Sequence, residues 1–534
     1  MSTFSTENIS YRETGYFSKI ITDYLSQNTS LQNFYQHPAS LEGIKDAIAY
    51  RKKTTTNRQV LVEQLEQQYL SIQTSDAVKN NISALNDENT FTICTAHQPN
   101  IFTGHLYFIY KIIHTIKLAD ALNRDLPENK FVPVFYVGSE DADLEELGEV
   151  FINAEKYTWD TKQTGAVGRM LVDDELLKIL KKIEGQVEVE TFGKEVINLV
   201  QECYTKGRTI QDACFCLVNK LFGDRGLIVL LPDNRELKKQ MIPVFEDDIF
   251  ENTPSEIVNK TTAHLAEYYK VQAHPREINL FYLEDNIRNR IVEHKGIYKI
   301  QDTGIQFTKE ELKNELISHP ERFSPNVILR ALYQETILPN LVFVGGGGEL
   351  AYWLELKDMF QHYNVPYPVL ILRNSFSLIN EKIDSLIHKL SFTYADIFKP
   401  EYDLVTDIVR KNSSHQLSLE KEKQQIGLIY EAMKTSVKEI DATLVKHVEA
   451  LQAKLLKTLD KLEVKLLRAE KKRFDSQQKQ VKKIRTNLFP NNSLQERVEN
   501  FMPFYAKWGK EFIKLIYDNS LIFEQEFCII KKEE

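Results

Sequence analysis

The sequence predicts an α/β fold: a parallel sheet interrupted by two insertions and followed by a long helical coiled coil. Three observations carry that expectation. Five short runs rich in β-branched or aromatic residues read as buried parallel strands, helical apolar spacing follows several of them, and no proline occurs between Pro400 and Pro490.

Residues 1–85 read as an N-terminal helical segment packed on the core. The first core part, 86–149, holds "FTICT" from Phe91 and "VPVFYV" from Val132. Between them Leu106, Ile109, Tyr110, Ile113, Ile116, Lys117 and Ala119 form a mostly apolar stripe at helical spacing. The third run, "LIVLL" from Leu227, lies in 207–249. The fourth and fifth, "LVFV" from Leu341 and "PVLIL" from Pro368, lie in 326–378, and Leu350, Trp353, Leu354, Leu356 and Phe360 mark a helix between them.

The uneven spacing of the runs makes 150–206 and 250–325 insertions folded over the sheet. The second contains "EINLFYLEDNIRNRIVEHKGIYKI", expected to form a small antiparallel ribbon turning at Lys295-Gly296. Residues 379–487, rich in Glu, Lys, Gln and Leu, predict long helices. From Val437 an apolar series runs through Ile440, Leu444, Val448, Leu451, Leu455, Leu459, Leu462, Leu466 and Ala469, nearer an eleven-residue period than heptads. An intramolecular hairpin or a dimeric coiled coil would bury it, and a projecting coiled coil that forms a homodimer is the favoured expectation. Residues 488–534 are read as a C-terminal helical segment.

With 67 basic and 76 acidic residues, the net charge of -9 argues against a nucleic-acid partner. No stretch approaches the roughly 18 uninterrupted apolar residues of a membrane span, and the N-terminus lacks a secretory pattern, so no membrane partner and a cytoplasmic location are expected. Cys94, Cys203, Cys214, Cys216 and Cys528 contain no CxxC pair. They read as free thiols, and no metal centre is expected.

The ends of the strands carry the chemistry. "CTAHQPNIFTGHLY" places Thr95, His97, Asn100, Thr103, Gly104 and His105 in a turn between strand and helix, where backbone N–H groups, a helix dipole and two imidazoles would face a ligand crevice. The alternative is a turn in which both histidines only satisfy backbone groups. "VGSEDADLEEL" adds Glu140, Asp141 and Asp143, for an amine, a proton or water-held Mg2+; the alternative is acids favoured by a helix N-terminus.

"FVGGGGELAYWLEL" offers Gly345, Gly346, Gly347 and Gly348, whose lack of Cβ lets a ligand approach the backbone, and Glu349, suited to a sugar hydroxyl. It lacks the Lys-Ser/Thr of a phosphate-binding loop. "LILRNSFS" supplies Arg373, Asn374 and Ser375, with Arg373 the best local counter-charge to phosphate, and Arg330 is a weaker anion candidate. In "LQERVEN", Gln495, Glu496, Arg497 and Asn500 could line a further nucleotide pocket, although packing on the core is the favoured reading.

The first turn resembles, in part, the His-x-Gly-His signature of the class I aminoacyl-tRNA synthetase and nucleotidylyltransferase core. Gly104-His105 matches its second half, and Phe102 stands in place of the first histidine. In order, "TAHQPNIFTGHLYFIYKIIHTIKLA", "VPVFYVGSEDADLEEL", "NVILRALYQETILPNLVFVGGGGELAYWLELK", "PVLILRNS" and "LFPNNSLQERVENFMPFYAKWG" resemble the bacillithiol biosynthesis cysteine-adding family over nearly the whole chain.

That resemblance implies a Rossmann-like core with synthetase-type insertions, a coiled coil, homodimerisation, and a ligase joining L-cysteine to glucosaminyl malate through an amide. Family members commonly read Thr-Gly-Gln-Gln at Thr95-Ala96-His97-Gln98 and Gly-Pro at Gly104-His105, so no universal proton-transfer role for either histidine is implied. Activation of the cysteine carboxylate by ATP with Mg2+ is expected, because a carboxylate is a poor acyl electrophile.

On this reading the 95–105 turn and Arg373 face the activated phosphate or carboxylate, and Ser375 is a further cofactor-binding candidate. One of Glu140, Asp141 and Asp143 serves the amine, and Gly345 to Glu349 serve sugar or nucleotide. The rival readings are a nucleotidylyltransferase acting on a small metabolite and a non-catalytic coiled-coil scaffold with a relic ligand site.

Overall fold

The structure, a computed structural model, describes residues 4–532. Its centre is a five-stranded sheet of β1 (Thr90–His97), β2 (Lys130–Val137), β3 (Ile228–Leu230), β4 (Asn340–Gly345) and β5 (Val369–Leu372), in the order β5-β4-β1-β2-β3. Every pairing in it is parallel. Each predicted run supplies one strand. The runs show little polar alternation because both faces of the sheet are covered. The chain runs from β1 outward to β2 and β3, then returns to the other side for β4 and β5. The crevice of a topological switch point therefore lies between β1 and β4, beyond their C-terminal ends.

Helix α1 (Leu106–Asp125) follows β1 and is buried on most of its faces. The sequence stripe described only one of these; C-terminal helix Lys510–Asp518 covers another, where the Tyr517 hydroxyl donates to Asp120 at 2.6 Å. Helix α2 (Val327–Ile337) precedes β4, and α3 (Gly347–Trp353) follows it. Trp353 stacks on Phe343 with centroids 4.4 Å apart. The apolar series to Phe360 divides between α3 and a separate helix, Lys357–His362.

The first insertion packs through helix Gly193–Cys203 against helices Ile210–Phe222 and Met502–Trp508, and the second through Thr253–Ala266 against Lys357–His362. In the second, strands Ile287–His294 and Ile297–Ile300 pair antiparallel about Lys295 and Gly296, which take the positive φ of 55° and 77° that a tight hairpin needs. Where the first insertion meets the core part that follows it, the free-thiol expectation is corrected at two positions: Cys203 and Cys216 form a disulfide. Helices Gly193–Cys203 and Ile210–Phe222 pack together and bring the two Cα atoms within 5.5 Å, a proximity with no local sequence motif. Cys94, Cys214 and Cys528 are free and buried.

The chain ends are not wholly helical, as the sequence had suggested. Strand Phe4–Ser10 pairs antiparallel with Glu526–Lys532, which pairs parallel with Ser375–Ile379. This second sheet ties both ends to the segment leaving β5. Between them project α4 (Glu420–Ile440) and α5 (Leu444–Lys471), an antiparallel hairpin bridged by Lys423 to Asp460 and Glu463 at 2.7 and 2.6 Å. The intramolecular pairing that the sequence left open is present. The apolar series is broken at Asp441, whose extended backbone ends α4 and whose carboxylate accepts the Thr443 N–H at 2.8 Å.

Candidate active site

The turn after β1 is buried and internally bonded. Phe102, Thr103 and Gly104 take successive positive φ values of 51°, 71° and 62°. The N–H of Phe102 donates to the Tyr204 hydroxyl at 2.9 Å, Thr103 N–H to Asn100 O, Gly104 N–H to Ile101 O, and Leu106 N–H to Glu499 O at 2.7 Å. The expected cradle of free backbone donors is thus corrected: these groups hold the turn against the first insertion and the C-terminal segment. Asn500 donates from its amide to the carbonyls of both Phe102 and Gly104. Thr95 Oγ1 donates to Val344 O at 2.7 Å and joins β1 to β4. Asn100 is buried and donates to Glu146 O at 3.4 Å.

The two histidines differ. His105 Nδ1 donates to Val498 O at 3.1 Å. His97 lies edge-on to Tyr107 and Phe108, with its buried Nε2 unpartnered. Burial, then the positive charges of Lys111 and neighbouring groups, holds the His97 imidazole well below its ordinary pKa, so it is neutral.

The acid cluster after β2 also divides. Glu140 is buried and paired with Lys238, which also meets Asp233 at 3.3 Å, and Asp233 is held by Arg169 at 2.7 Å. Asp143 caps the short helix Leu144–Leu147 through Glu146 N–H. Asp141 lines a cavity with Arg288 and Arg330. Burial alone would push its carboxyl up, but those two guanidiniums outweigh it and hold Asp141 below the ordinary carboxylate range.

At the switch point, Lys111 donates to Ala96 O and meets Glu349 Oε2 at 2.6 Å. The same Glu349 oxygen accepts Gly346 N–H at 2.8 Å. Gly345 is enclosed: a Cβ there would come within 2.6 Å of Leu350. An added Cβ at Gly346 or Gly347 would make ordinary or slightly tight contact, whereas at Gly348 it would meet nothing within 4 Å.

Arg373, expected to counter phosphate, is engaged by Glu496 at 2.7 Å and donates to Ser375 Oγ at 3.0 Å. Gln495 bonds the backbone of Leu378. Of the charged residues in that C-terminal segment, Arg497 makes no side-chain ion pair or hydrogen bond among the described residues, and Tyr107, Arg373 and Glu349 lie in its electrostatic neighbourhood.

The region beyond the strand ends thus joins a cavity lined by Asp141, Arg288 and Arg330 to Lys111, Glu349, Arg373 and Arg497, which lie in one another's electrostatic neighbourhood. It is a positively biased, partly dry site suited to anionic groups. Lys111 and Arg288 escaped sequence reasoning. Lys111 had a signal, a cation within an apolar helical run that also holds Lys117, whereas Arg288 had none.

A model of the N-terminal Rossmann-like domain of bacillithiol biosynthesis BshC matches residues 4–374, and one of the BshC C-terminal coiled-coil domain matches 376–532. The chain belongs to the BshC family. Its BshC relatives include proteins named "Putative cysteine ligase BshC". That of Flavobacterium psychrophilum is 40% identical over 529 residues, covering 98% of this chain and 99% of its own. That of Bacillus cereus is 27% identical over 526 residues, covering 96% and 98%. A solved structure titled "putative arginyl t-RNA synthetase", from Campylobacter jejuni, covers 80% of this chain and 99% of its own at 9% identity and a TM-score of 0.22. That likeness adds nothing to the fold assignment, which rests on the BshC domains and the observed sheet. Among the described residues no helix is long and apolar enough to cross a membrane.

Proposed function

We propose that this BshC chain is a ligase joining L-cysteine to glucosaminyl malate through an amide, the last step in making bacillithiol. One observation carries the reading within the family: Arg330, a guanidinium without a carboxylate partner, lines a cavity with Asp141, an ionised carboxylate, and Arg497, likewise unpaired among the described residues, lies near Glu349. Amide formation needs those elements: positive charge for an activated acyl group and an acceptor for the amine's hydrogens.

ATP with Mg2+ is the proposed activator. The open space at Gly348 and the free Arg497 fit an approaching nucleotide phosphate, and Mg2+ would supply further charge neutralisation there. Arg497 offsets the charge of the activated carboxylate. Asp141 accepts a hydrogen bond from the glucosamine amine and turns its lone pair toward the acyl carbon. As the C–N bond forms, the acyl C–O bond to the ATP-derived phosphate or adenylate breaks, that group leaves with the bonding pair, and the amine's proton passes by way of Asp141 to solvent. Neutral His97 and the Lys111–Glu349 pair maintain the crevice walls. We place the reaction in the cytoplasm, in a homodimer formed through α4 and α5.

The test is the thiol profile, by mass spectrometry, of cells lacking the gene. Loss of bacillithiol with accumulation of glucosaminyl malate is expected. Unchanged bacillithiol in cells without a redundant enzyme removes this reading in favour of nucleotidyl transfer or a scaffold.

A further inference from the structure

At the C-terminal end of β2 lies a cavity of about 260 Å3 whose walls include Gln98, Ser139, Asp141, Arg288, Asn326 and Arg330. Its two cations come from separate parts of the fold. Arg330 sits in the first turn of α2 and donates to the Tyr352 hydroxyl at 3.4 Å. Arg288 reaches in from the second insertion, stacked 4.0 Å from the Phe281 ring and donating from Nε to Ser324 Oγ at 3.2 Å. Among the described residues these are the only side-chain hydrogen bonds either guanidinium makes, and neither has a carboxylate within 4.0 Å.

Two further features point to a ligand. Ser139 lines the cavity, is fully buried, and its hydroxyl has no hydrogen-bond partner. Glu140, the other acid in the wall, is neutralised by Lys238, which leaves Asp141 as the cavity's negative charge. Two guanidiniums around one carboxylate complement a molecule carrying two carboxylates and one amine. A site with this balance is specific, because a monocarboxylate leaves one desolvated guanidinium unpaired and a plain amino sugar leaves both.

We propose that this cavity is the acceptor subsite, in which Arg288 and Arg330 take the carboxylates of an amino dicarboxylate and Asp141 takes its amine. Naming that acceptor glucosaminyl malate rests on the ligase reading above; the recognition chemistry rests on the cavity. Arg288 becomes the specificity-determining residue that the second insertion contributes, which gives that insertion a role at the site.

Binding of glucosaminyl malate and of free L-malate to the full-length protein is measured by titration calorimetry, with a melting midpoint for each variant. Arg288→Gln and Arg330→Gln are each expected to weaken glucosaminyl malate binding about tenfold or more, through loss of a charge-assisted pair. Ser139→Ala, which alters no charge, is expected to weaken it about threefold to tenfold through loss of one hydrogen bond. Wild-type affinity in all three variants, or no binding of either compound to the wild type, overturns the subsite.

The two readings fail separately. Variant-insensitive acceptor binding together with loss of bacillithiol in the gene knockout removes the subsite and leaves the ligase. Arginine-dependent dicarboxylate binding with unchanged bacillithiol leaves the subsite and removes the ligase.

Discussion

Arg373 and Glu496 meet at 2.7 Å, their side chains 3% and 0% exposed, and join the segment leaving β5 to the C-terminal segment. Glu496 also accepts the Ser375 hydroxyl at 3.1 Å and the Phe376 N–H at 3.2 Å, so every member of the cluster is satisfied. Removing one partner leaves the other charge buried. Glu496→Ala is expected to cost about 3–5 kcal/mol, and replacing both residues by apolar ones of similar volume much less. Urea unfolding checks this: equal losses in the single and paired variants would show that Arg373 is not stranded by loss of Glu496.

His114 predicts a loss of stability in acid. Its Nδ1 accepts the Asn374 N–H at 3.2 Å, a bond available only while that nitrogen is unprotonated. Burial lowers its pKa from 6.5 to about 4. The unfolded chain therefore binds the extra proton first, and the stability present above pH 6.5 is lost as pH falls toward 4. By linkage the loss from this group is about 3 kcal/mol. The difference in urea-derived stability between wild type and His114→Gln should shrink by that amount over this window. A difference independent of pH would sink the assignment.

The strands were legible because a parallel sheet covered on both faces requires uninterrupted apolar runs, and "VPVFYV" and "LVFV" have no other economical use. The end-to-end sheet was not. Phe4–Ser10 is largely polar, and only its partner Glu526–Lys532, at the far end of the chain, makes it a strand. The same limit applies at the site. Sequence placed Asp141 and Glu140 side by side, but only Lys238, 98 residues from Glu140, determines which carboxylate is free. Backbone donors at Phe102 and Leu106 looked available because their acceptors, Tyr204 and Glu499, lie far along the chain.

The turn after β1 should be intolerant of small changes. Gly104 has φ 62°, and an added Cβ would lie 2.8 Å from Asn100 Cβ. Gly104→Ala is expected to cost about 1–3 kcal/mol in backbone and steric strain. Asn500→Ala leaves the Phe102 and Gly104 carbonyls without their shared donor and should cost a similar amount, about 1–3 kcal/mol. Hydrogen exchange of the Phe102 and Leu106 amides should rise in both variants. Unchanged protection would mean that the turn is held without the C-terminal segment.

The coiled-coil hairpin presents more apolar surface than one chain covers. Helix α4 buries no residue, and Ile429, Met433 and Ile440, spaced by four and seven, are 57%, 50% and 81% exposed. On α5, Leu444, Leu451 and Leu462, spaced by seven and eleven, are 42%, 45% and 44% exposed. Both rows follow helical periodicity, so a second hairpin can cover them as continuous seams. Burying one such side chain contributes roughly 1.5–3 kcal/mol, and the symmetry of a dimer counts each position twice. Met433→Glu with Leu451→Glu should therefore weaken self-association by at least about a hundredfold while leaving the melting of the α/β core unchanged. Sedimentation velocity decides the matter: a wild-type monomer at micromolar concentration would remove the dimer, and a dimer insensitive to both substitutions would move its interface off the hairpin.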